Sequence, residues 1–352
     1  IIYNAANGMI LYDADGAGPG SFYSRRIDGR LIAADGEVLG GAPFNIAPEI
    51  TSVLDKDASF SVNDLVGLDA GGFKLAYWQQ ENDVSSFHEV SYAGDGSLTS
   101  ANSSASGWYG KLLGNGGHVD WYQTSEADAS SPTGYRYWTQ AQRYDAAGAE
   151  VGASFQVTDK FTSNSGIDEL RLRDLGNGNW FALWNSNNGS NQDIFGQAYT
   201  AAGDDLVPVN PSQINIAGST AFNQYDETMA VLPGGYVVVA WRTQTTTQSD
   251  VFARIFWSDG TPHTDVFRVN VVEAGSQSAP AIAVADDGSF TIFYSESGSR
   301  NGVFGQRYDA DGNQVGGLEL RGSISAPIAD TLNARDAVLP VSIFGLGGND
   351  SL

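Results

Sequence analysis

A glycine-marked turn recurs six times along this chain, and its regular spacing constrains the fold more than any other feature. Neighbouring copies stand between 52 and 60 residues apart, and DGEVLGG near the start closely matches DGNQVGG nearly three hundred residues later. A second glycine series, from Gly8 to Gly288, marks another turn at the same period. A period of this length is typical of a repeat architecture. The glycines of the first series are Gly36, Gly96, Gly148, Gly203, Gly260 and Gly312.

Each repeat has the pattern of four short strands. In the last full copy we predict strands over residues 279–285, 289–295, 303–309 and 315–321, where apolar and polar residues alternate between turn signals. Asp-Gly and Gly-Gly pairs suit the tight turns of antiparallel hairpins. Helical patterns are nearly absent. The sequence therefore predicts an all-β chain, a β-propeller of about six four-stranded blades.

The predicted propeller covers residues 1–322, with an insertion in the third repeat at 123–134. We interpret residues 323–344, which contain Pro327 and Pro340, as a linker, and 345–352 as a glycine-rich tail. The alternative is a seventh blade within 323–352. The first residues carry no signal-peptide pattern, and we expect a mature or excised piece of an exported protein.

The charge of the chain excludes several classes of partner. Its 41 carboxylates against 18 Lys and Arg give a net charge of −23. Such a surface repels nucleic acid and anionic membranes, and no apolar run is long enough to cross a bilayer. An acidic surface is compatible with calcium binding, with a salty medium, or with solubility alone. The chain has no cysteine, which fits a bacterial extracellular protein.

The repeats resemble a unit found in very large secreted bacterial proteins and adhesins, which reads roughly FAQRYDxxG, then FxVN, then GGFVVxW. This resemblance implies export and a role outside the cell or on its surface, and it implies no catalytic residue. The best matching copies are 139–158, 194–210, 235–241, 251–270 and 303–317.

The last eight residues, GLGGNDSL, resemble the glycine-rich nonapeptide GGxGxDxLx of hemolysin-type (RTX) proteins. Gly345, Gly348, Asp350 and Leu352 fit that unit, whereas Leu346 replaces its second glycine. The family binds calcium through the aspartate in a parallel β-roll. The resemblance implies type I secretion from a Gram-negative bacterium, and the alternative is a disordered glycine-rich tail without calcium binding.

Calcium is the candidate cofactor, and two turns have the alternating oxygen ligands that it prefers. Neither turn supplies the acidic twelfth ligand of an EF-hand. The alternative is an ordinary turn whose side chains accept hydrogen bonds from its own N–H groups. The predicted metal ligands are Asp309, Asp311, Asn313, Asp13 and Asp15, together with Asp350 in the tail.

Two groups of residues break the repeat pattern and are candidates for ligand binding. Non-periodic aromatic residues near the 123–134 insertion would stack on sugar rings, or provide extra packing in an irregular blade. Arg171 and Arg173 would hold a carboxylate or sulfate, or pair with Asp168, Glu169 or Asp174. The aromatic residues are Trp108, Tyr109, Tyr135, Tyr137 and Trp138.

The strand pattern places His118 and Asp120 on one face, with Tyr122 two residues further on. Such a group could perform acid–base chemistry on a polysaccharide. No zinc-protease, nucleophile-elbow, P-loop or dinucleotide motif occurs.

The residues favour a secreted, noncatalytic propeller that acts in adhesion or a surface matrix, with a glycan as its expected partner. The alternatives are a secreted polysaccharide lyase or hydrolase and a structural subunit of an extracellular assembly.

Overall fold

The computed structural model describes most of the chain between residues 7 and 322, and every regular element in that part is a β-strand. No helix that could cross a membrane occurs among these residues. The described ranges are 7–13, 27–33, 38–45, 59–68, 72–81, 84–93, 97–104, 110–160, 167–187, 191–219, 221–271, 274–285, 287–297, 302–315 and 320–322.

The strands follow the alternation that the sequence predicts, and the turns described at Gly148, Gly203, Gly260 and Gly312 lie between successive strands. Their bounds are β1 Asn7–Asp13, β2 Ile27–Ala33, β3 Val38–Asn45, β4 Ser59–Gly67, β5 Phe73–Glu81, β6 Val84–Tyr92, β7 Leu98–Ser104, β8 Lys111–Leu112, β9 His118–Ala127, β10 Tyr135–Tyr144, β11 Glu150–Gln156, β12 Ile167–Asp174, β13 Asn179–Asn187, β14 Gln192–Ala202, β15 Asp205–Pro208, β16 Ile214–Asn215, β17 Asn223–Leu232, β18 Tyr236–Gln244, β19 Ser249–Phe256, β20 Phe267–Arg268, β21 Ser276–Val284, β22 Phe290–Ser297, β23 Gly302–Tyr308 and β24 Leu320–Gly322.

Strands pair with their neighbours in sequence, which produces a series of small antiparallel sheets. The strand orders are β1-β2-β3, β4-β5-β6-β7, β11-β10-β9-β8 and β12-β13-β14-β15, with β16 also beside β14. The strands β17 to β24 form one further sheet, in which β19 and β21 are joined by the single parallel pair of Ser249 and Ser276. The all-β prediction and the predicted repetition of antiparallel hairpins are therefore confirmed.

Predicted and observed strands agree closely in the last copy. The expected ranges 279–285, 289–295 and 303–309 correspond to β21, β22 and β23 within three residues at each end. The predicted fourth strand, 315–321, is matched at its end by β24, which is described from Leu320, and residues 316–319 lie outside the described residues. An isolated bridge between Tyr308 and Gln314 precedes it.

Three aromatic residues that recur with the period of the repeats belong to the core. Trp184, Trp241 and Tyr294 follow their turn glycines by six residues, and each is at most 1% exposed. Trp241 packs with Phe181, Val239 and other apolar residues in one buried cluster. These rings stabilise the fold through burial and are not available for a ligand.

Contacts between residues divide the chain into two compact units. The first comprises residues 1–120 and 144–149, and the second comprises residues 121–143 and 150–352. The predicted linker at 323–344 and the tail at 345–352 lie outside the described residues and stay predictions. The predicted end of the propeller at residue 322 also stays a prediction.

Candidate functional site

The glutamine of the repeated FAQRY-type motif has a structural role. Gln142, Gln197 and Gln306 are buried, and each donates its side-chain amide to backbone carbonyls. Gln142 reaches Gly152 O at 3.1 Å, and Gln197 reaches Asn210 O at 3.0 Å. The bonds of Gln142 and Gln197 hold the segment that follows the third strand, whereas the bond of Gln306 goes to its neighbour Arg307. Satisfying buried carbonyls in this way stabilises the fold.

The last position of the FxVN motif is structural as well. Asn270 accepts a hydrogen bond from Val251 N at 2.8 Å, and Thr158 accepts one from Thr139 N at 2.9 Å. Both side chains are buried, at 2% exposed. The motifs that carry the resemblance to secreted repeat proteins therefore stabilise the sheets. Candidate ligand-binding residues lie elsewhere in the chain.

The aspartate turn at Asp309 is closed by its own hydrogen bonds. The carboxylate of Asp309 accepts bonds from Asp311 N at 3.0 Å, Asn313 N at 2.8 Å and Asn313 Nδ2 at 3.0 Å. The side-chain bond from Asn313, followed by the backbone bonds, lowers the pKa of Asp309. Asp145 accepts the same two backbone bonds in an earlier repeat, from Ala147 N and Ala149 N.

The remaining predicted calcium ligands are dispersed or not described. Asp13 ends β1, and its side chain lies outside the described residues, as do Asp15 and Asp350. Among the described residues no cluster of three or more His, Cys, Asp and Glu could hold a metal ion. Calcium binding at these turns stays a prediction.

If calcium binds the Asp309 turn, millimolar Ca²⁺ will raise the melting temperature and EDTA will reverse the rise, because a ligand that binds only the folded state stabilises it. Differential scanning calorimetry of the wild type and Asp311→Asn measures this. Asp311 is chosen because its side chain is 74% exposed. A melting temperature that is indifferent to Ca²⁺ would remove this turn as a calcium site.

His118 and Asp120 lie close together in β9, as the strand period predicts. His118 Nε2 is 4.0 Å from Asp120 Oδ2, which is beyond hydrogen-bonding distance. Burial lowers the pKa of His118 and raises the pKa of Asp120, so the surroundings disfavour the charged form of each group. The imidazole stacks on Tyr144, with ring centroids 4.7 Å apart, which leaves little of it for a substrate.

Charged side chains surround His118 within the first unit. Lys74 Nζ lies 2.7 Å from Glu89 Oε1 and donates to Gly116 O at 2.8 Å. Glu89 and Lys74 shift the pKa of His118 in opposite directions. Tyr122 belongs to the second unit and is 50% exposed. A catalytic role for these residues stays a prediction.

The insertion at 123–134 lengthens the β9–β10 hairpin, whose tip is held by hydrogen bonds. Asp128 N donates to Gly134 O at 2.9 Å, and the Asp128 carboxylate accepts from Ser130 N, Ser130 Oγ and Arg136 Nε. The bonds from Ser130, followed by the bond from Arg136, lower the pKa of Asp128 to about 2. This exposed tip is therefore an ordered turn.

Strand alternation separates the predicted aromatic patch of the hairpin into two faces. Tyr135 and Tyr137 lie on one face of β10, with ring centroids 6.3 Å apart, and Tyr135 is 48% exposed. Trp138 lies on the other face, where Lys160 Nζ stands 4.3 Å from its ring centroid. Lys160 also pairs with Glu126 at 2.9 Å. Trp108 and Tyr109 lie outside the described residues.

Arg171 and Arg173 share one face of β12 but are used within the protein. Arg171 Nη2 lies 2.8 Å from Glu169 Oε1, and Arg173 Nη1 donates to Leu172 O at 3.0 Å. Internal pairing with Glu169 was the alternative to anion binding, and it is the arrangement that the structure shows. The charge of Arg171 is compensated, so the pair is a weak candidate for carboxylate or sulfate.

Glu227 in β17 is a candidate that the sequence analysis missed. Its side chain is 3% exposed, and Asn185 Nδ2 donates to both of its carboxyl oxygens at 3.2 Å. Burial raises the pKa of Glu227 to about 7, even though Arg171 and the Asn185 bonds favour the charged form. Buried acids with such pKa values cluster at functional sites.

Comparison of the repeats shows that the fold does not require an acid at this position. The first strands of three repeats, β12, β17 and β21, can be aligned by their cross-strand pairs. These pairs are Ile167 with Ser186, Gln224 with Thr243 and Gln277 with Glu296. In each pair the second residue lies two positions after the buried aromatic residue of its strand. Three residues further on, the buried side chains are Leu170, Glu227 and Pro280. An alignment of the repeats in this register was the sequence signal that could have identified Glu227.

The backbone beside Glu227 is also irregular. A register shift lies between Tyr225 and Thr228, and Asp226 has a φ of 55°, which is uncommon for a residue other than glycine. Arg242 Nε lies 3.0 Å from Asp226 Oδ2, with its guanidinium 4.9 Å from the Tyr225 ring centroid. A bulge of this kind changes the direction of the side chains that follow it.

The comparisons with known proteins establish similarity of fold. Neither protein-family models nor curated proteins give a match. A protein of unknown function from Dyadobacter fermentans has a TM-score of 0.51 and 12% identity, over 86% of this chain and 91% of its own. This likeness shows a shared fold and carries no information about activity.

Two further structures are similar at a lower level. A six-bladed β-propeller lectin from Aleuria aurantia has a TM-score of 0.40 and 12% identity, over 91% of this chain and 96% of its own. An α-L-arabinofuranosidase from Fusarium graminearum has a TM-score of 0.43 and 11% identity, over 86% and 90%. With TM-scores below 0.5, neither supports an argument about fold or ligand.

Proposed function

We propose that this chain is a secreted bacterial β-propeller of about six four-stranded blades that binds glycans at a cell surface or in an extracellular matrix without catalysis. The repeated antiparallel hairpins support the architecture. The resemblance of the repeats to those of secreted bacterial proteins supports export, and the resemblance of the last eight residues to RTX proteins supports type I secretion. The net charge of −23 disfavours nucleic acid as a partner.

The observation that carries the proposal is the pair of tyrosines on the lengthened hairpin. Tyr135 and Tyr137 project from one face of β10 beside a turn that is fixed by Asp128. A large aromatic side chain that is half exposed gains nothing from burial in the core, and its ring offers an apolar surface with a polar hydroxyl. Sugar rings have C–H faces that pack on such surfaces, and an ordered platform reduces the entropy lost on binding.

The double substitution Tyr135→Ala with Tyr137→Ala is expected to weaken binding at least tenfold to whichever soluble polysaccharide the wild type retains in affinity electrophoresis. Dextran, xylan, laminarin and alginate are suitable probes. Phe222→Ala is the matched control, because Phe222 is 51% exposed but lies outside the hairpin. Equal retention of the double variant and the wild type would contradict the role of the hairpin.

One observation favours the alternative of a polysaccharide-active enzyme, and it points to Glu227 instead of His118. A carboxyl whose pKa is raised to about 7 keeps its proton near neutral pH, as a general acid must. The charge of Glu169 contributes to raising that pKa. Release of new reducing ends from the same polysaccharides, abolished by Glu227→Gln, would establish this alternative and overturn the noncatalytic proposal.

A further inference from the structure

The residues around Glu227 form a compact polar cluster in the second unit. Arg171 in β12 pairs with Leu183 across the strands, and Asn185 lies two residues beyond Leu183 on the same face of β13. Glu169 contacts Arg171 at 2.8 Å, and Glu227 of β17 contacts Asn185 at 3.2 Å. These four residues, Glu169, Arg171, Asn185 and Glu227, are called the Glu227 cluster below.

The Glu227 cluster contains a donor and an acceptor that no described residue satisfies. Arg171 Nε and Asn185 Oδ1 are both buried atoms without a hydrogen-bond partner among the described residues. A buried polar atom left in this state costs about 1–3 kcal/mol. A hydroxyl group can accept from the first atom and donate to the second, so a polyhydroxylated ligand satisfies both.

The cluster is partly open to a ligand. The side chain of Arg171 is 23% exposed and that of Glu169 is 30% exposed, whereas Glu227 is buried beside them at 3%. Polar groups that converge from two or three strands onto a buried acid are typical of small-molecule sites. The neighbouring Arg242–Asp226 pair, with Tyr225 below the guanidinium, continues the same polar region along β17 and β18.

The charges of the cluster favour a neutral ligand. Arg171 is balanced by Glu169, Arg242 is balanced by Asp226, and Glu227 is uncharged when it holds its proton. The site therefore offers no unpaired positive charge to a carboxylate or sulfate, and the net charge of −23 opposes anions at longer range. Arg, Asn and carboxyl groups in this mixture suit adjacent sugar hydroxyls, which both donate and accept.

We propose that the Glu227 cluster is a binding site for a neutral saccharide, separate from the aromatic hairpin. The hydroxyl groups of the sugar bind Arg171, Asn185 and Glu169, and the Glu227 carboxyl fixes the Asn185 amide. The proposal goes beyond glycan binding at Tyr135 and Tyr137, because it assigns a second site with a different chemistry. A chain with two such sites would bind a polysaccharide more tightly than either site alone.

Titration of the full chain with methyl α-glucoside, methyl α-mannoside and methyl β-galactoside, followed by NMR, tests the proposal. We expect at least one of them to shift the side-chain amide signals of Asn185, and sodium glucuronate to bind at least tenfold more weakly than that glycoside. Asn185→Ala is expected to weaken binding at least tenfold. Asn177→Ala is the matched control, because Asn177 is an exposed turn residue of the same unit that accepts from Asn179 N.

The outcomes separate this proposal from the hairpin proposal. Loss of glycoside binding in the Tyr135 and Tyr137 double variant, with Asn185→Ala unaffected, would overturn the second site and leave the hairpin in place. Preference for glucuronate, or no shift of the Asn185 amide with any of the three glycosides, would also overturn it. The amide signals are read in the wild type, so the test does not depend on how well a variant folds.

Discussion

Replacing Glu227 by Gln is expected to increase the free energy of unfolding by roughly 3 kcal/mol at pH 8 and to change it little at pH 4. The folded protein holds the Glu227 proton with a pKa of about 7, against an ordinary value of 4.5. Each pH unit between these values is worth about 1.4 kcal/mol. Because the folded state binds the proton more tightly, the wild type loses stability as the pH rises from 4.5 to 7.

The amide of the replacement removes this loss because it has no charge to bury. Asn185 can rotate its own amide so that Oδ1, which has no partner among the described residues, accepts from the new NH₂ group. The hydrogen bond is therefore kept without a buried carboxylate. Below pH 4.5 the wild-type acid is protonated in both states, and the two proteins differ little.

Urea unfolding of the wild type and Glu227→Gln at pH 4 and pH 8, followed by tryptophan fluorescence, measures this difference. Glu150→Gln is the control, since Glu150 is exposed and its replacement is expected to change the midpoint little at either pH. A gain for Glu227→Gln that is equal at both pH values would show that ionisation is not its cause.

Local pattern was sufficient to predict the strands and their repetition. Side chains of a hairpin strand point alternately to a buried and an open face, and this alternation predicts a strand over residues 289–295. The observed strand, β22, agrees with it within two residues at each end. The positions of Trp184 and Trp241 could be predicted for the same reason, because each stands at a fixed distance from a turn glycine and is buried. Period and turn chemistry are local properties of the chain.

The candidate site could not be predicted in the same way, because its contacts join different sheets. The sequence left both anion binding and internal pairing open for Arg171, and only the structure shows its contact with Glu169 across the bulge in β12. Glu227 looked like one acidic residue among 41, and only its burial distinguishes it. Likewise, alternation places Trp138 away from Tyr135, although the three aromatic residues are neighbours in sequence.

Replacement of a glycine by alanine is expected to give the second large change in the free energy of unfolding. Gly152 in β11 and Gly203 after β14 both have a φ of 68°, a conformation that strains a residue with a side chain. A Cβ at Gly152 would lie 2.0 Å from Asp204 O, whereas a Cβ at Gly203 meets nothing within 4 Å. The two positions therefore differ in the space around the new methyl group and not in backbone conformation.

Gly203→Ala is expected to cost about 1 kcal/mol, from the backbone alone. Gly152→Ala adds displacement of Asp204 O, which also accepts a hydrogen bond from Arg143 Nη2, and is expected to cost about 3 kcal/mol in all. Midpoints of urea unfolding for the two variants and the wild type give the comparison. Equal losses would mean that the close approach of Gly152 to Asp204 O relaxes without cost, and that this contact does not hold β11 in place.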